Sequence, residues 1–223
     1  SLFHKVAVSY YPSYVEEEAI HAVDETIPVK AITAYVYEEF LQNLNKDFAK
    51  REGLLFVGGF AHPPNADAVL WFAKEVFPKI REQIKVNFYI VGSKVTDEIK
   101  ALEQPGNGII VKGFVSEEEL ADLYRNCRIV VVPLRYGAGV KGKVVEAIYN
   151  GAPIVTTSVG SEGIPDVEKV LLVKDQPDEF AETVVELYKD EKRLEDLAEK
   201  TQVYIREHFS IDAAWDVIKE DFE

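Results

Sequence analysis

The sequence predicts an α/β fold, a parallel β-sheet flanked by helices, and two observations carry that expectation. Six short runs rich in β-branched residues recur along the middle of the chain, each followed by a segment with helical spacing. Alternation of this kind calls for parallel strands joined by crossover helices. The runs are also apolar at consecutive rather than alternate positions, as strands covered on both faces are.

Taken in order, residues 5–9 are expected as a strand, 14–23 as an acidic amphipathic helix and 30–32 as another short strand. The polar stretch 42–53 then leads into the core repeat. The core strands are expected at 54–57, 86–91, 109–111, 129–132, 154–156 and 170–173. Between the first two, residues 65–84 carry Val69, Phe72, Ala73, Val76, Phe77 and Ile80 at helical spacing. Ser116 followed by Glu117, Glu118 and Glu119 is a capping-box start for a helix running to about Asn126. At the far end, 177–189, 191–209 and 211–222 read as three consecutive helices, the last capped by Ser210 or Asp212. No internal repeat and no low-complexity tract is visible.

With 223 residues, 47% of them hydrophobic, the chain can bury a full-sized core. Its net charge of −14 argues against a nucleic-acid or anionic-membrane surface, since both need a basic patch to release counterions. Any phosphate must then be held locally. Cys127 is the only cysteine, which excludes an intrachain disulfide framework and fits a reducing compartment. No apolar run approaches the roughly 20 residues of a membrane span, so a cytoplasmic protein without direct membrane insertion is expected. The sequence holds no methionine, and Ser1 is read as a cut, which predicts a piece of a longer protein.

Ligands of open α/β sheets bind beyond the carboxyl ends of the strands, and three loops there stand out. In Gly58-Gly59-Phe60-Ala61-His62-Pro63-Pro64-Asn65, two glycines end a strand and prolines open a helix. Such a loop lets backbone approach a phosphate, or serves simply as a tight turn. The next glycine is Gly92, so the dinucleotide fingerprint is absent and a nicotinamide or flavin site is not expected. The second loop runs from Pro133 through Arg135, Tyr136, Gly137, Ala138, Gly139, Lys141, Gly142 and Lys143 to Glu146. Glycines, lysines and a helix start coincide in it, which makes a local anion site. Glu146, one turn into the helix, is placed to accept hydrogen bonds from sugar hydroxyls, or is a helix-surface glutamate.

Gly137–Lys143 also fits the P-loop spacing, but Val144 stands where a magnesium-binding hydroxyl belongs and no strand ends in the metal-holding acid. A P-loop hydrolase is therefore not expected. The third loop, Thr156 to Gly163, is again small and glycine-rich. The four histidines are isolated, no cluster has metal-ligand spacing, and Cys127 reads as structural. His62 is expected in a surface or capping role.

These residues carry a resemblance. The series Leu55–Phe60, Pro64-Asn65, Val91-Gly92, Val111–Val115, Leu120–Tyr124, Val132-Pro133, Gly139 to Thr157 and Gly160–Gly163 resembles the C-terminal, nucleotide-sugar-binding domain of retaining "group 1" glycosyltransferases of the GT-B fold. The likeness covers roughly residues 51–209, and the Lys143, Glu146, Gly151 and Pro153 portion is its specific part. It implies a Rossmann-like domain over 49–209, with 1–48 as the tail of a preceding acceptor domain plus linker. Residues 210–223 would be a helix returning to that absent domain.

The resemblance further implies Gly58, Gly59 and Lys143 around the diphosphate of a nucleoside-diphosphate sugar, and Glu146 on the ribose. It puts backbone at Gly113, Phe114 and Val115 at the base, and Arg135, Tyr136 and Gly139 near sugar and phosphate. Lys143 and Glu146 are its catalytic pair. No metal or other cofactor is expected, the nucleotide sugar being a substrate. The acceptor, a glycan or lipid-linked sugar, would be held by the absent domain, possible membrane association coming only through the full-length protein. The sequence departs from many relatives at Ala138, where a first glutamate eight positions before Glu146 is common, and at Phe60 and His62, where basic residues are common. Alternatives are a GT-B-like nucleotide-sugar epimerase and a non-catalytic nucleotide-sugar-binding module.

Overall fold

The computed structural model describes residues 6–222. Its main body is a six-stranded parallel sheet built from β3 (Leu54–Val57), β4 (Phe88–Val91), β5 (Ile109–Gly113), β6 (Ile129–Val132), β7 (Ile154–Thr156) and β8 (Leu171–Val173). The spatial order is β5-β4-β3-β6-β7-β8. The chain thus winds outward from β3 to β5, crosses back to lay β6 on the other side of β3, and winds outward again. The β3/β6 boundary is the topological switch point, where loops diverge and leave a crevice at the carboxyl ends.

Leu54, Leu55, Phe56 and all of β6 are buried, which is why these strands read as unbroken apolar runs. A second, two-stranded parallel sheet joins β1 (Ser9–Tyr11) to β2 (Val29–Ala31) through α1 (Tyr14–His21). The first strand therefore lies at 9–11, not 5–9. Pairing begins where Ser9 N donates to Pro28 O and ends where Ile32 N donates to Tyr11 O, while Val6 and Ala7 are exposed. Lys5 lies outside the described residues.

Helices α2 (Pro63–Trp71) and α3 (Phe77–Gln83) form one rod with a π turn at Phe72–Val76 between them. The turn precedes Pro78, which has no N–H and would clash with the carbonyl four residues back; widening the helix relieves both. Phe72 anchors the rod on the sheet, its ring 4.7 Å from Phe88 and 5.7 Å from Phe180, the latter on α8 (Pro177–Lys189). A one-turn α4 (Asp97–Lys100) follows β4.

Helix α5 spans Glu117–Asn126, and Ser116 Oγ accepts from Glu119 N at 3.2 Å. The reciprocal half of the capping box is not made, because the Glu119 carboxylate takes Lys112 Nζ at 2.8 Å instead. Ser116→Ala should cost about 1 kcal/mol, read as a lower urea midpoint at unchanged slope.

Two buried arginines lock the linker to the body. Arg51 donates Nε to Cys127 O (2.7 Å) and Nη2 to Tyr124 O (3.0 Å), satisfying carbonyls at the end of α5. Arg128 donates Nε to Tyr188 O at 2.8 Å and Nη1 to Phe48 O. After α6 (Gly142–Tyr149) and the short α7 (Ser158–Ser161), α9 (Glu191–Phe209) packs behind α6. There Gln202 Nε2 donates to Tyr149 O at 3.1 Å. Helix α10 (Ile211–Ile218) is capped by Ser210, whose Oγ accepts from Ala213 N. The 3₁₀ turn after it is tied to the small sheet by the Lys30–Asp221 ion pair at 2.7 Å. Among the described residues, no helix is long and apolar enough to cross a membrane.

Candidate functional site

The three loops singled out in the sequence follow β3, β6 and β7, the strands at and beside the switch point. Gly58 N continues the ladder by donating to Val91 O at 2.9 Å, and Phe60 N donates to Ser93 O at 2.9 Å. The first loop is thereby folded over the end of β4. Pro63 and Pro64, at the start of α2, have no N–H to offer an anion. Gly58 is packed closely at this point, since a Cβ on it would lie 2.9 Å from Asn65 Nδ2 and 3.2 Å from Lys143 Cε.

Asn65 joins two loops. It is buried, donates Nδ2 to Gly59 O at 2.8 Å, and accepts from Lys143 Nζ at 2.9 Å. The ammonium group is thus brought across from α6 to the glycine pair. Burial first, and then the neighbouring Lys141, push the Lys143 pKa down to about 8 against the opposing pull of Glu146. An ammonium so placed is poorly solvated and gains from an incoming anion.

Lys141 behaves differently from what its sequence position promised. Its Nζ is 3.0 Å from Glu162 Oε2 and bonds Gly139 O, so its charge is matched by the third loop. Of the two loop lysines, Lys143 is the one left to meet a ligand. The third loop itself is tightly fixed: Thr157 Oγ1 accepts from Gly160 N at 3.1 Å, and Ser158 N donates to Asp175 Oδ1 at 2.8 Å.

Glu146 lies three residues past Lys143, on the same side of α6. Burial raises its pKa, while the Tyr124 hydroxyl and Lys143 pull it down. Tyr124 is 1% exposed.

Two linker tyrosines, which local sequence patterns did not point to, border this face. The Tyr35 hydroxyl would be 2.7 Å from a Cβ on Gly142. Tyr37 stacks on Tyr149 with centroids 4.2 Å apart, and burial, then the charge of Glu146, raise its phenol to about 12.

The remaining candidates are distributed around this centre. Arg135 reaches α2, where it pairs bidentately with Asp67, Nε to Oδ2 being 2.9 Å, above the Trp71 ring. Tyr136 is exposed. Gly113 ends β5 and Phe114 and Val115 follow it, three strand spacings, about 14 Å, from β6, and Phe114 is 82% exposed. His62 is exposed at the cap position of α2 and makes no side-chain cap bond. Cys127 is buried at the end of α5, which raises its thiol to about 11. Among the described residues no cluster of three or more His, Cys, Asp or Glu could hold a metal. A cleft of about 750 Å³ lies at the other end of the sheet, lined by Arg81, Lys85, Asn87 and Gly108 at the amino ends of β4 and β5.

Comparison with known proteins gives this geometry a family. A protein described as "Uncharacterized 44.6 kDa protein in cps region", from Klebsiella pneumoniae, is 29% identical over 184 residues, 78% of this chain and 45% of its own length. The chain thus spans under half of that relative. Staphylococcus aureus TarM superposes with a TM-score of 0.78 at 13% identity, over 99% of this chain and 44% of its own. Anabaena Alr3699/HepE, solved with UDP and glucose, gives 0.70 at 16% identity, over 97% and 63%. The pneumococcal O-GlcNAc transferase GtfA, solved with UDP and GlcNAc, gives 0.70 at 21%, over 98% and 45%. These likenesses establish the fold, a Rossmann-like sheet as in GT-B glycosyltransferases. The family described as Glycosyl transferases group 1 matches residues 51–190, and the chain belongs to it.

Proposed function

We propose that this chain is the donor-binding half of a glycosyltransferase that moves a sugar from a nucleoside-diphosphate sugar to a glycan or lipid-linked acceptor, with retention of configuration. One observation carries the proposal: Lys143 and Glu146 stand together on the first turns of α6, and Lys143 reaches through Asn65 to the Gly58-Gly59 loop at the switch point of the sheet. In this reading Lys143 neutralises the charge that develops on the diphosphate as the glycosidic bond breaks, and the partly buried setting strengthens that interaction. Glu146 accepts from the ribose hydroxyls. Gly58 and Gly59 leave room for the diphosphate, and Gly139, Tyr136 and Arg135 border the sugar. The backbone at Gly113, Phe114 and Val115 meets the base. No resident metal or cofactor enters this reading. Residues 49–209 are the donor domain, and 1–48 with 210–223 belong to the connection with an acceptor domain.

The solved complexes of TarM, HepE and GtfA contain UDP, which makes it the first nucleotide to try. A nucleotide that binds only the folded chain stabilises it by about 2.7 kcal/mol at one hundred times its Kd, roughly 5–10 °C for this chain length. Thermal melts with UDP, GDP and dTDP at millimolar concentration should show a shift of this size with at least one of them. No shift with any of the three overturns the proposal.

A further inference from the structure

We infer that Tyr124 is the positioning residue for Glu146, its hydroxyl donating to one carboxylate oxygen so that the remaining lone pairs meet the ribose. The inference rests on the reading of Glu146 as the ribose acceptor and adds a residue that reading does not contain.

Tyr124 sits on the last turn of α5 with its side chain enclosed. Its position is fixed from the backbone, since Arg51 Nη2 donates to its carbonyl at 3.0 Å. Its hydroxyl is buried and, among the described residues, completes no hydrogen bond. A desolvated hydroxyl without a partner is unfavourable, and a residue filling core volume alone would serve as well as phenylalanine. Of the charged groups that act on that hydroxyl, Glu146 acts most strongly. Each bears on the other in the sense expected of a phenol aimed at a carboxylate: Glu146 holds the phenol protonated, after burial has already raised it, and Tyr124 favours the ionised acid.

The two lie on different elements, so their alignment is a property of the fold and not of helix spacing. Lys143, the cation nearest in sequence to Glu146, is engaged by Asn65 and leaves orientation of the carboxylate to Tyr124. A small rotation of Glu146 closes the bond when a ribose draws the carboxylate into place. A fixed donor behind an acceptor selects, as the ribose binds, the one carboxylate orientation in which both hydrogen bonds are made.

The test uses the 223-residue chain and paired nucleotides, UDP with 2′-deoxy-UDP, GDP with 2′-deoxy-GDP and ADP with 2′-deoxy-ADP, by titration calorimetry. The wild type should prefer the ribose member of the pair it binds by about tenfold or more, as loss of a hydrogen bond to a charged group implies. Glu146→Gln should collapse that preference. Tyr124→Phe, which removes one oxygen and keeps the ring, should leave the apo melting temperature within a few degrees and reduce the preference by about three- to tenfold. The double variant should match Glu146→Gln alone, because a positioning residue acts through its partner. A Tyr124→Phe protein with the wild-type preference overturns the inference and leaves Glu146 standing. Absence of any ribose preference, or a Glu146→Gln protein that retains it, overturns the reading of Glu146 and the inference with it.

Discussion

Lys143→Met should raise the melting temperature of the free chain at pH 7 and at the same time weaken nucleoside diphosphate binding by at least about 30-fold, the effect of removing one partner of a desolvated charge pair. The opposite signs follow from one fact, that the folded chain lowers the Lys143 pKa from 10.5 to about 8. The charged form therefore opposes folding, in full below pH 8, and that opposition fades as pH rises toward 10.5. Methionine keeps the volume and removes the desolvation cost, which should add about 1–2 kcal/mol and a few degrees, less the hydrogen bond that Asn65 loses. Binding runs the other way in pH. A diphosphate needs the ammonium, so wild-type affinity should hold between pH 7 and 8 and then fall by up to about tenfold per unit as binding begins to require uptake of a proton. Calorimetry in buffers of different ionisation enthalpy reads that proton directly. In Lys143→Met the dependence above pH 8 should vanish. A variant that is less stable, or that binds as the wild type does, removes Lys143 from the proposed site.

How far the sequence revealed this arrangement depended on the range of the interactions. Residues 54–57, 129–132 and 154–156 coincide with observed strands because burial on both faces is written into consecutive apolar residues. Helix α5 starts where Ser116 announces it, since capping is settled within four residues. The glycine loops, Lys143 and Glu146 were legible as a cluster because the switch point brings together loops whose composition is unusual by itself. Contacts across many residues were not legible. Asn65 reaches Lys143 over 78 positions, and no local pattern marks an asparagine in the first turn of a helix as the bridge between two loops. Lys141 has the placement of a second cation for the anion site, and the carboxylate that matches its charge, Glu162, lies 21 residues on, beyond any local pattern. The linker tyrosines Tyr35 and Tyr37 carry no local signal, because their packing against α6 depends on where the chain before the core folds back. The π turn was foreshadowed by Pro78 inside a helical pattern, a signal that marks a distortion without giving its form.

Gly92→Ala should cost about 3–5 kcal/mol and lower the melting temperature by roughly 6–20 °C, a larger effect than truncating most core side chains to the next smaller one. Gly92 follows β4 at a φ of 155°, and a Cβ there would stand 1.8 Å from the Gly58 carbonyl oxygen and 2.7 Å from its carbonyl carbon. Both obstructing atoms are backbone, and they are held in place by the bond from Gly58 N to Val91 O and by the fold of the loop above it. No rotamer change can clear them, so β4 or the Gly58-Gly59 loop must move. Any movement of that loop carries Asn65, and through it the Lys143 ammonium, away from the position that the proposed diphosphate binding needs. The variant should therefore lose nucleotide binding even at temperatures where it remains folded. Gly106→Ala is the matched control. Its φ of 81° is also in the positive region that side chains rarely adopt, but a Cβ there meets nothing within 4 Å, so it should cost only about 1 kcal/mol and leave binding intact. Chemical denaturation and nucleotide titration of the two proteins separate steric contact from backbone preference. Equal losses in both would mean that conformation at the glycine, and not the close approach of β4 to the first loop, sets the geometry of the site.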